Sequence, residues 1–111
     1  MKIAIPTANG MICPHFGHCE NFTIVVVEEN DKIASIMTSE PPPHEPGVLP
    51  RWLKEQNVDV VIAGGMGQRA QELFARAGIK VVVGVTDGNP DTIAKKYLSG
   101  SLQCGSNLCD H

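Results

Sequence analysis

The fold is decided by one stretch of sequence, Asp59-Val60-Val61-Ile62-Ala63-Gly64-Gly65-Met66-Gly67. Its first five residues are a nearly continuous apolar run, which is typical of a parallel strand buried on both faces. Beyond the glycines, apolar residues recur at helical spacing at Ala70, Leu73, Phe74 and Ala77. Strand, glycine-rich turn and helix therefore follow one another as in half of a parallel βαβ unit.

The rest of the chain predicts a mixed sheet around this unit. Segments that are β-branched or alternating, and bounded by turn residues, indicate five strands. In chain order these strands are 2–5, 22–28, 32–39, 59–63 and 80–83. Pro6 is expected to end the first strand, and residues 7–20 to form a loop. Helices are expected over about 50–57, 68–77 and 90–99, with Asn89 capping the last, and with Gly78 and Gly100 ending the second and third.

These elements predict a single-domain α/β fold over residues 1–100, with a five-stranded mixed sheet in the order 3-2-1-4-5 and three helices. Residues 101–111 form a tail that carries cysteine and histidine but shows no periodicity. The first, fourth and fifth strands are expected to be parallel. The loops at 7–20, 64–67 and 84–89 would then leave the same edge of the sheet, which is where open α/β sheets bind ligands.

Composition narrows the function. The chain has 111 residues, 42% of them hydrophobic, and a net charge of -3, which disfavours a nucleic-acid partner because no basic surface is available to bind phosphates. No apolar run reaches the roughly 20 residues that cross a bilayer, and the first residues do not resemble a secretory signal. We therefore expect a cytoplasmic protein with no membrane partner, whose four cysteines are reduced.

Soft metal ligands cluster in two places outside the predicted core. The first group is Cys13, His15, His18 and Cys19, and the second is Cys104, Cys109 and His111. Thiolate and imidazole suit zinc, iron, copper(I) and iron-sulfur clusters, whereas magnesium and calcium prefer oxygen. The Cys-x5-Cys spacing is not that of a zinc-finger hook. A reversible disulfide or plain packing stays open for the first cysteine pair, and a redox-active or disordered tail for the second.

The glycine-rich turn is a third candidate. Gly64, Gly65 and Gly67 let the backbone approach a ligand closely and let N–H groups converge at the positive end of a helix, which favours an anion. The turn lacks the lysine and hydroxyl of a Walker loop, and the GxGxxG fingerprint is absent. A turn needed only for close packing is the alternative. Met66 is either a soft side chain at the site or a core residue.

These motifs together resemble a known family. The residues Pro-His-Phe-Gly at 14–17, Gly-Gly-Met-Gly at 64–67, Ala-Gly-Ile at 77–79 and a cysteine- and histidine-bearing tail resemble the dinitrogenase iron-molybdenum cofactor biosynthesis family. The resemblance covers essentially the whole chain and implies a three-layer, ribonuclease-H-like fold. It matches the family's histidine to His15 and the glycine-rich loop to Gly64, Gly65 and Gly67.

The resemblance implies that the chain binds or carries a metal-sulfur cluster. The cargo would be the iron-molybdenum cofactor or its precursor, an iron-sulfur cluster, or a molybdenum-copper sulfide cluster, and the partners would be cluster donor and acceptor proteins. Cofactor biosynthesis and nitrogen fixation are the processes that this family suggests. The roles of the four cysteines rest on their chemistry alone, since no individual cysteine is matched to a position of the family pattern.

Two other classes of function compete with a carrier. A metal-dependent nuclease needs converging carboxylates, and neither Pro6-Thr7-Ala8-Asn9 nor Gly64-Gly65 supplies one, so we do not expect an enzyme of that kind. A Cys-His hydrolase needs a rigidly held nucleophile and a third orienting group, which the loop does not show. The other competitor is a regulatory or adaptor module with a structural Cys/His zinc site.

Overall fold

The computed structural model describes residues 1–13, 20–41, 48–85, 88–100 and 102. Among these residues, six strands form one mixed sheet, and three helices pack against it. The strands are β1 (Lys2–Ala8), β2 (Met11–Ile12), β3 (Asn21–Val27), β4 (Ile33–Ser39), β5 (Val60–Ile62) and β6 (Lys80–Val82). The helices are α1 (Val48–Glu55), α2 (Gln68–Arg76) and α3 (Pro90–Ser99). The prediction of a single α/β domain with a mixed sheet and three helices is confirmed.

The sheet has one strand more than the sequence predicted. Its order is β4-β3-β1-β5-β6, with β2 paired to β1 off this path, so the sheet differs from the predicted five-stranded order 3-2-1-4-5 by the added strand β2. β1 is antiparallel to β3 and parallel to β5, which is parallel to β6. The added strand forms because Asn9 and Gly10 both adopt positive φ, at 55° and 77°, and join β1 to β2 as a two-residue hairpin turn.

β1 continues through Pro6, where the sequence predicted its end. The carbonyl of Pro6 accepts a hydrogen bond from the N–H of Cys13, on the edge of β1 away from β3. The N and C=O of one residue in an antiparallel strand point to the same edge. The donor that proline lacks is therefore missing on that edge and not in the ladder to β3, where Pro6 lies opposite Phe22. The prediction that residues 7–20 form one loop is therefore wrong, because residues 7–12 belong to the hairpin of β1 and β2.

Two apolar clusters hold the helices on opposite faces of the sheet, because alternate residues of β1 and β3 point to opposite sides. On one face, Ala4 and Phe22 pack with residues of α1 and α2 such as Leu53 and Phe74. On the other, Ile3, Ile5 and Val25 pack with Ile93 and Ala94 of α3. Leu102, just beyond α3, packs on the second cluster as well.

The helix ends follow the sequence closely. The side chain of Asn89 accepts a hydrogen bond from the N–H of Thr92 at 2.9 Å, as an N-cap does, and Pro90 is the first residue of α3. Gly78 and Gly100 have φ of 78° and 77°, which confirms the predicted left-handed ends of α2 and α3. α1 lies at Val48–Glu55, about two residues before its predicted position.

Candidate functional site

The carboxyl ends of β1, β5 and β6 lie at one edge of the sheet, since these strands are parallel. Gly64–Gly67 follow β5 there and lead into α2. The backbone continues to pair beyond the strands: Gly84 N–H donates to the carbonyl of Gly64 at 2.9 Å, and Val85 N–H donates to that of Ala63 at 3.3 Å. The segment after β6 therefore lies beside the start of the glycine-rich turn.

β2 carries Cys13 to the same edge. Thr7 pairs with Asn21 of β3 on one side and with Ile12 of β2 on the other. β2 therefore lies on the same side of β1 as β5, which pairs with the amino-terminal half of β1. Cys13 N–H then bonds to the carbonyl of Pro6 at 2.8 Å. Since Ala4 pairs with Val61, Pro6 is level with the residue that follows β5. This register places the backbone of Cys13 at the carboxyl end of β5, where the glycine-rich turn begins.

The segment that holds the first group of soft ligands is flanked by two residues that hydrogen-bond to β1. Cys13, on one side of it, bonds to Pro6, and Glu20, on the other side, donates its N–H to the carbonyl of Thr7 at 3.0 Å. These two acceptors are neighbours in sequence and face opposite edges of β1. The two residues that flank the segment, Cys13 and Glu20, are therefore both fixed near the carboxyl end of β1, close to Gly64–Gly67.

Most of the predicted soft ligands lie outside the described residues. These are His15, His18, Cys19, Cys104, Cys109 and His111. Cys13 is described and is 6% exposed. Among the residues that the structure describes, no group of three or more His, Cys, Asp or Glu side chains is arranged to hold a metal ion. The predicted ligand set therefore stays a prediction.

The four residues of the glycine-rich turn have different surroundings. Gly64 and Gly65 are buried and Gly67 is exposed. Met66 is fully buried in the cluster that holds α1 and α2, so its side chain packs in the core, one of the two roles that the sequence left open. Its carbonyl accepts a hydrogen bond from the side-chain amide of Gln71 at 2.9 Å, which ties the turn to α2.

The start of α2 is suited to an anion. Its N-cap is Gly67, which has no side chain to bond the first N–H groups of the helix, and these groups have no acceptor within the helix. The first turn contains no acidic residue and instead carries the exposed Arg69. A cation at a helix N-terminus opposes the helix dipole, whereas an anion bound there is stabilised by both.

Arg69 is a candidate that the sequence analysis missed. The signal was present, because a helix start normally favours Asp or Glu in its first turn and a capping Ser, Thr, Asp or Asn before it. Here both are replaced, by Arg69 and Gly67. A helix start that has no side-chain cap and carries a positive charge loses helix stability, and that loss is a reason to look for a ligand.

The fold and the sheet edge define a class of protein: a small α/β domain whose parallel-strand ends combine a cysteine, a glycine-rich turn and an uncapped helix start. A sequence model of the family described as dinitrogenase iron-molybdenum cofactor matches residues 1–100. The chain belongs to this family.

Other comparisons agree. The chain is 34% identical over 107 residues to the uncharacterized protein MJ0580 of Methanocaldococcus jannaschii, with 93% of this chain and 90% of the relative covered. The crystal structure of PH0822 superposes with a TM-score of 0.85 at 31% identity, covering 95% of this chain and 96% of the other. The apo form of the orange protein from Desulfovibrio gigas shares the fold, with a TM-score of 0.76 at 19% identity over 96% and 93% of the two chains.

No helix among the described residues is long and apolar enough to span a bilayer.

Proposed function

We propose that the chain binds a metal-sulfur cluster at the edge of the sheet formed by Cys13, the glycine-rich turn and the start of α2, and delivers it to another protein. One observation carries this proposal. The segment with the first soft ligands begins at Cys13, and the backbone of Cys13 lies at the carboxyl end of β5, where Gly64–Gly67 begin. Family membership supports the same reading, because the family is described by the iron-molybdenum cofactor.

The donor set at this edge fits such a cargo. A sulfide-bridged cluster is bulky and anionic, and its metals bind thiolate and imidazole. The Cys13 thiol supplies one soft ligand once it loses its proton, and the neighbouring His15, His18 and Cys19 are further candidates in sequence. N–H groups at the start of α2 and the guanidinium of Arg69 can hydrogen-bond to sulfide or to other anionic edges.

Few protein ligands suit a carrier better than a permanent holder. A cluster held by one or two replaceable ligands, with the rest of the binding from hydrogen bonds and charge, can pass to an acceptor by ligand exchange. In this proposal the chain is a carrier and not an enzyme, and its partners are the proteins that donate and accept the cluster. The cargo is the iron-molybdenum cofactor, its precursor, or another iron-sulfur or molybdenum sulfide cluster.

The experiment is a metal inventory. The protein is purified without oxygen, its visible spectrum is recorded, and Fe, Mo, Cu, Zn and acid-labile sulfide are counted per chain, before and after reconstitution with iron and sulfide or with tetrathiomolybdate and copper. We expect colour and stoichiometric sulfide, lost in Cys13→Ser and in His15→Ala. Glu55→Ala, an exposed change at the end of α1, is the control variant.

Three outcomes contradict the proposal. A protein that stays colourless and sulfide-free under every reconstitution is not a cluster carrier. Tight, colourless zinc that is released only by unfolding supports the structural zinc module instead. If the colour depends on Cys104 and Cys109 alone, the site lies in the tail and not at the sheet edge.

A further inference from the structure

Strand β4 is an edge strand with an open outer side. It pairs with β3 on one side only, and none of the described strands pairs with the other. Residues 34–38 are all exposed, and Ile36 and Met37 are exposed by 44% and 49%. These two are half of the large hydrophobic side chains that are exposed among the described residues. They are adjacent in sequence, and because they lie on one strand they point to opposite faces of the sheet.

β4 lacks two common protections of an edge strand. Natural edges are usually interrupted by proline or by charged residues that discourage pairing with another chain. The sequence of β4, Ile-Ala-Ser-Ile-Met-Thr-Ser, contains neither. One irregularity is present, a register shift next to Ala34, but the pairing with β3 is regular from Ser35 to Ser39. Residues 35–39 therefore form a regular, uncharged edge, along which the backbone groups of alternate residues face outward.

The charges that flank β4 are complementary under a two-fold axis. In an antiparallel pairing of β4 with a second copy, centred on Ile36, residue numbers that face each other add to 72. Lys32 of each copy then faces Glu40 of the other, and the two Ile36 side chains lie side by side. The shift at Ala34 moves Lys32 by at most one residue, about 3.3 Å, which long side chains can span.

Both flanking charges are available for this contact. Lys32 and Glu40 are exposed, and within the described ranges neither takes part in an ion pair. On the opposite face of the same pairing, Met37 of one copy packs diagonally against Met37 of the other, with Ser35 directly opposite each. The apolar pairs occupy the centre and the opposite charges the ends, which is the usual arrangement of a specific interface.

We propose that β4 is a self-association surface, through which a second copy of this chain extends the sheet antiparallel across a two-fold axis. A closed dimer forms because the same strand is used by both copies and its outer edge is then consumed. The two candidate cluster edges remain accessible and point in opposite directions, since the paired strands are antiparallel. The contact is small, so the dimer is expected to be weak and to depend on concentration.

The test begins with the full-length wild-type chain. Sedimentation equilibrium up to about 1 mM protein should show the mass rising from 11.9 kDa toward twice that value. Ile36→Lys places two lysines directly opposite each other and should return the chain to 11.9 kDa at every concentration, with an unchanged circular dichroism spectrum. Arg51→Glu, an exposed charge change on α1, should dimerise as the wild type does.

The pairing of charges provides a sharper test. Lys32→Glu alone sets Glu against Glu40, and Glu40→Lys alone sets Lys against Lys32, so each variant should dimerise roughly 10-fold more weakly than the wild type. An equimolar mixture of the two variants restores both attractive pairs and should form a heterodimer. Added salt should weaken this heterodimer and relieve the repulsion in each variant alone.

The proposal is overturned by several results. A wild-type chain that stays monomeric at the highest concentration does not self-associate through β4. A dimer that survives Ile36→Lys uses another surface. A mixture of the two charge variants that is no more dimeric than its components shows that Lys32 and Glu40 do not face each other.

Discussion

The hydroxyl groups of Thr7 and Thr23 lie 3.1 Å apart in the sheet, and both residues are buried, at 3% and 7% exposure. Thr7 also bonds to the carbonyl of Asn21 at 3.3 Å. The carbonyl can only accept, so Thr7 donates to it and Thr23 donates to Thr7. These bonds fasten β3 to β1 just where the Cys13–Glu20 segment leaves and returns.

Removal of the Thr7 hydroxyl should be the costlier change of the two. Thr7→Val leaves the Thr23 hydroxyl without its acceptor and removes one hydrogen bond from the Asn21 carbonyl, so we expect a loss of about 1–3 kcal/mol in the free energy of unfolding. Thr23→Val leaves Thr7 still bonded to Asn21 and should cost less. Urea unfolding monitored by circular dichroism gives both values.

The control for this pair is Thr38→Val. Thr38 lies directly opposite Thr23 in the sheet but is exposed on β4, so its hydroxyl can bond to water. The same chemical change should then alter stability by less than about 0.5 kcal/mol. Equal losses at Thr23 and Thr38 would show that the buried hydroxyl pair does not contribute as described.

The two glycines at the ends of α2 should differ in how much stability is lost when each is replaced by alanine. Gly78 has φ of 78°, so Gly78→Ala forces a side chain into the left-handed region and should cost about 1–2 kcal/mol. Its added Cβ would meet only Lys54 Nζ at 3.8 Å, so the cost is conformational and not steric. Gly67 has φ of -62° and open space around its Cβ position, so Gly67→Ala introduces no such strain and should cost less, within about 1 kcal/mol, which is the difference between glycine and alanine at an N-cap.

Thermal unfolding of both variants checks this contrast. If Gly67→Ala destabilised the fold as much as Gly78→Ala, the backbone of the glycine-rich turn would be under a constraint that its dihedral angles do not show. If it is tolerated, glycine at position 67 needs another reason, and access to the start of α2 supplies one.

The cap of α3 should be measurable in the same way. Asn89→Ala removes the acceptor of the Thr92 N–H and should lower the free energy of unfolding by about 1 kcal/mol. Asn89→Asp keeps an acceptor, adds a charge that the helix dipole favours, and should retain or raise stability. A loss that is equal in both variants would mean that Asn89 acts through something other than its cap.

Local sequence signals predicted the elements that are determined locally. The Asn89 cap and the glycines that end α2 and α3 act through their own backbone preferences, and the apolar run at Val60–Ile62 needs burial on both faces wherever it lies. The hairpin at Asn9-Gly10 was also visible, because Asn-Gly is a strong signal for a two-residue turn. The sequence analysis does not predict this hairpin, because a first strand that ends at Pro6 has no residues left to pair with β2.

The features that the sequence did not predict depend on pairing between residues that are far apart along the chain. The tolerance for Pro6 depends on which edge of β1 faces β3, and the location of Cys13 depends on the register between β1 and β5. Neither can be seen in a local pattern. The sequence predicted the candidate site at the carboxyl ends of the parallel strands only because the loops after such strands leave the same edge of a sheet, and its candidate ligands other than Cys13 and the glycine-rich turn lie outside the described residues.

Charge at the start of α2 should decide how well an anionic cluster binds there. Gly67→Asp adds a capping acceptor, which should leave stability unchanged or raise it, but it also places a carboxylate where the proposed cargo binds. Arg69→Glu reverses the one charge in the first turn, at an exposed position. Both variants should weaken cluster binding by roughly 10-fold or more while the fold stays intact.

Neutral and distant changes separate charge from shape. Gly67→Asn adds a side chain of nearly the same size as Gly67→Asp without its charge, and should bind the cluster more tightly than Gly67→Asp does. Arg76→Glu makes the same reversal as Arg69→Glu in the last turn of α2, at the other end of the helix, and should leave cluster binding unchanged. Binding is measured by titrating reconstituted cluster under anaerobic conditions and following its visible absorbance. If Arg76→Glu weakened binding as much as Arg69→Glu, only the net charge of the chain would matter, and the start of α2 would not be part of the site.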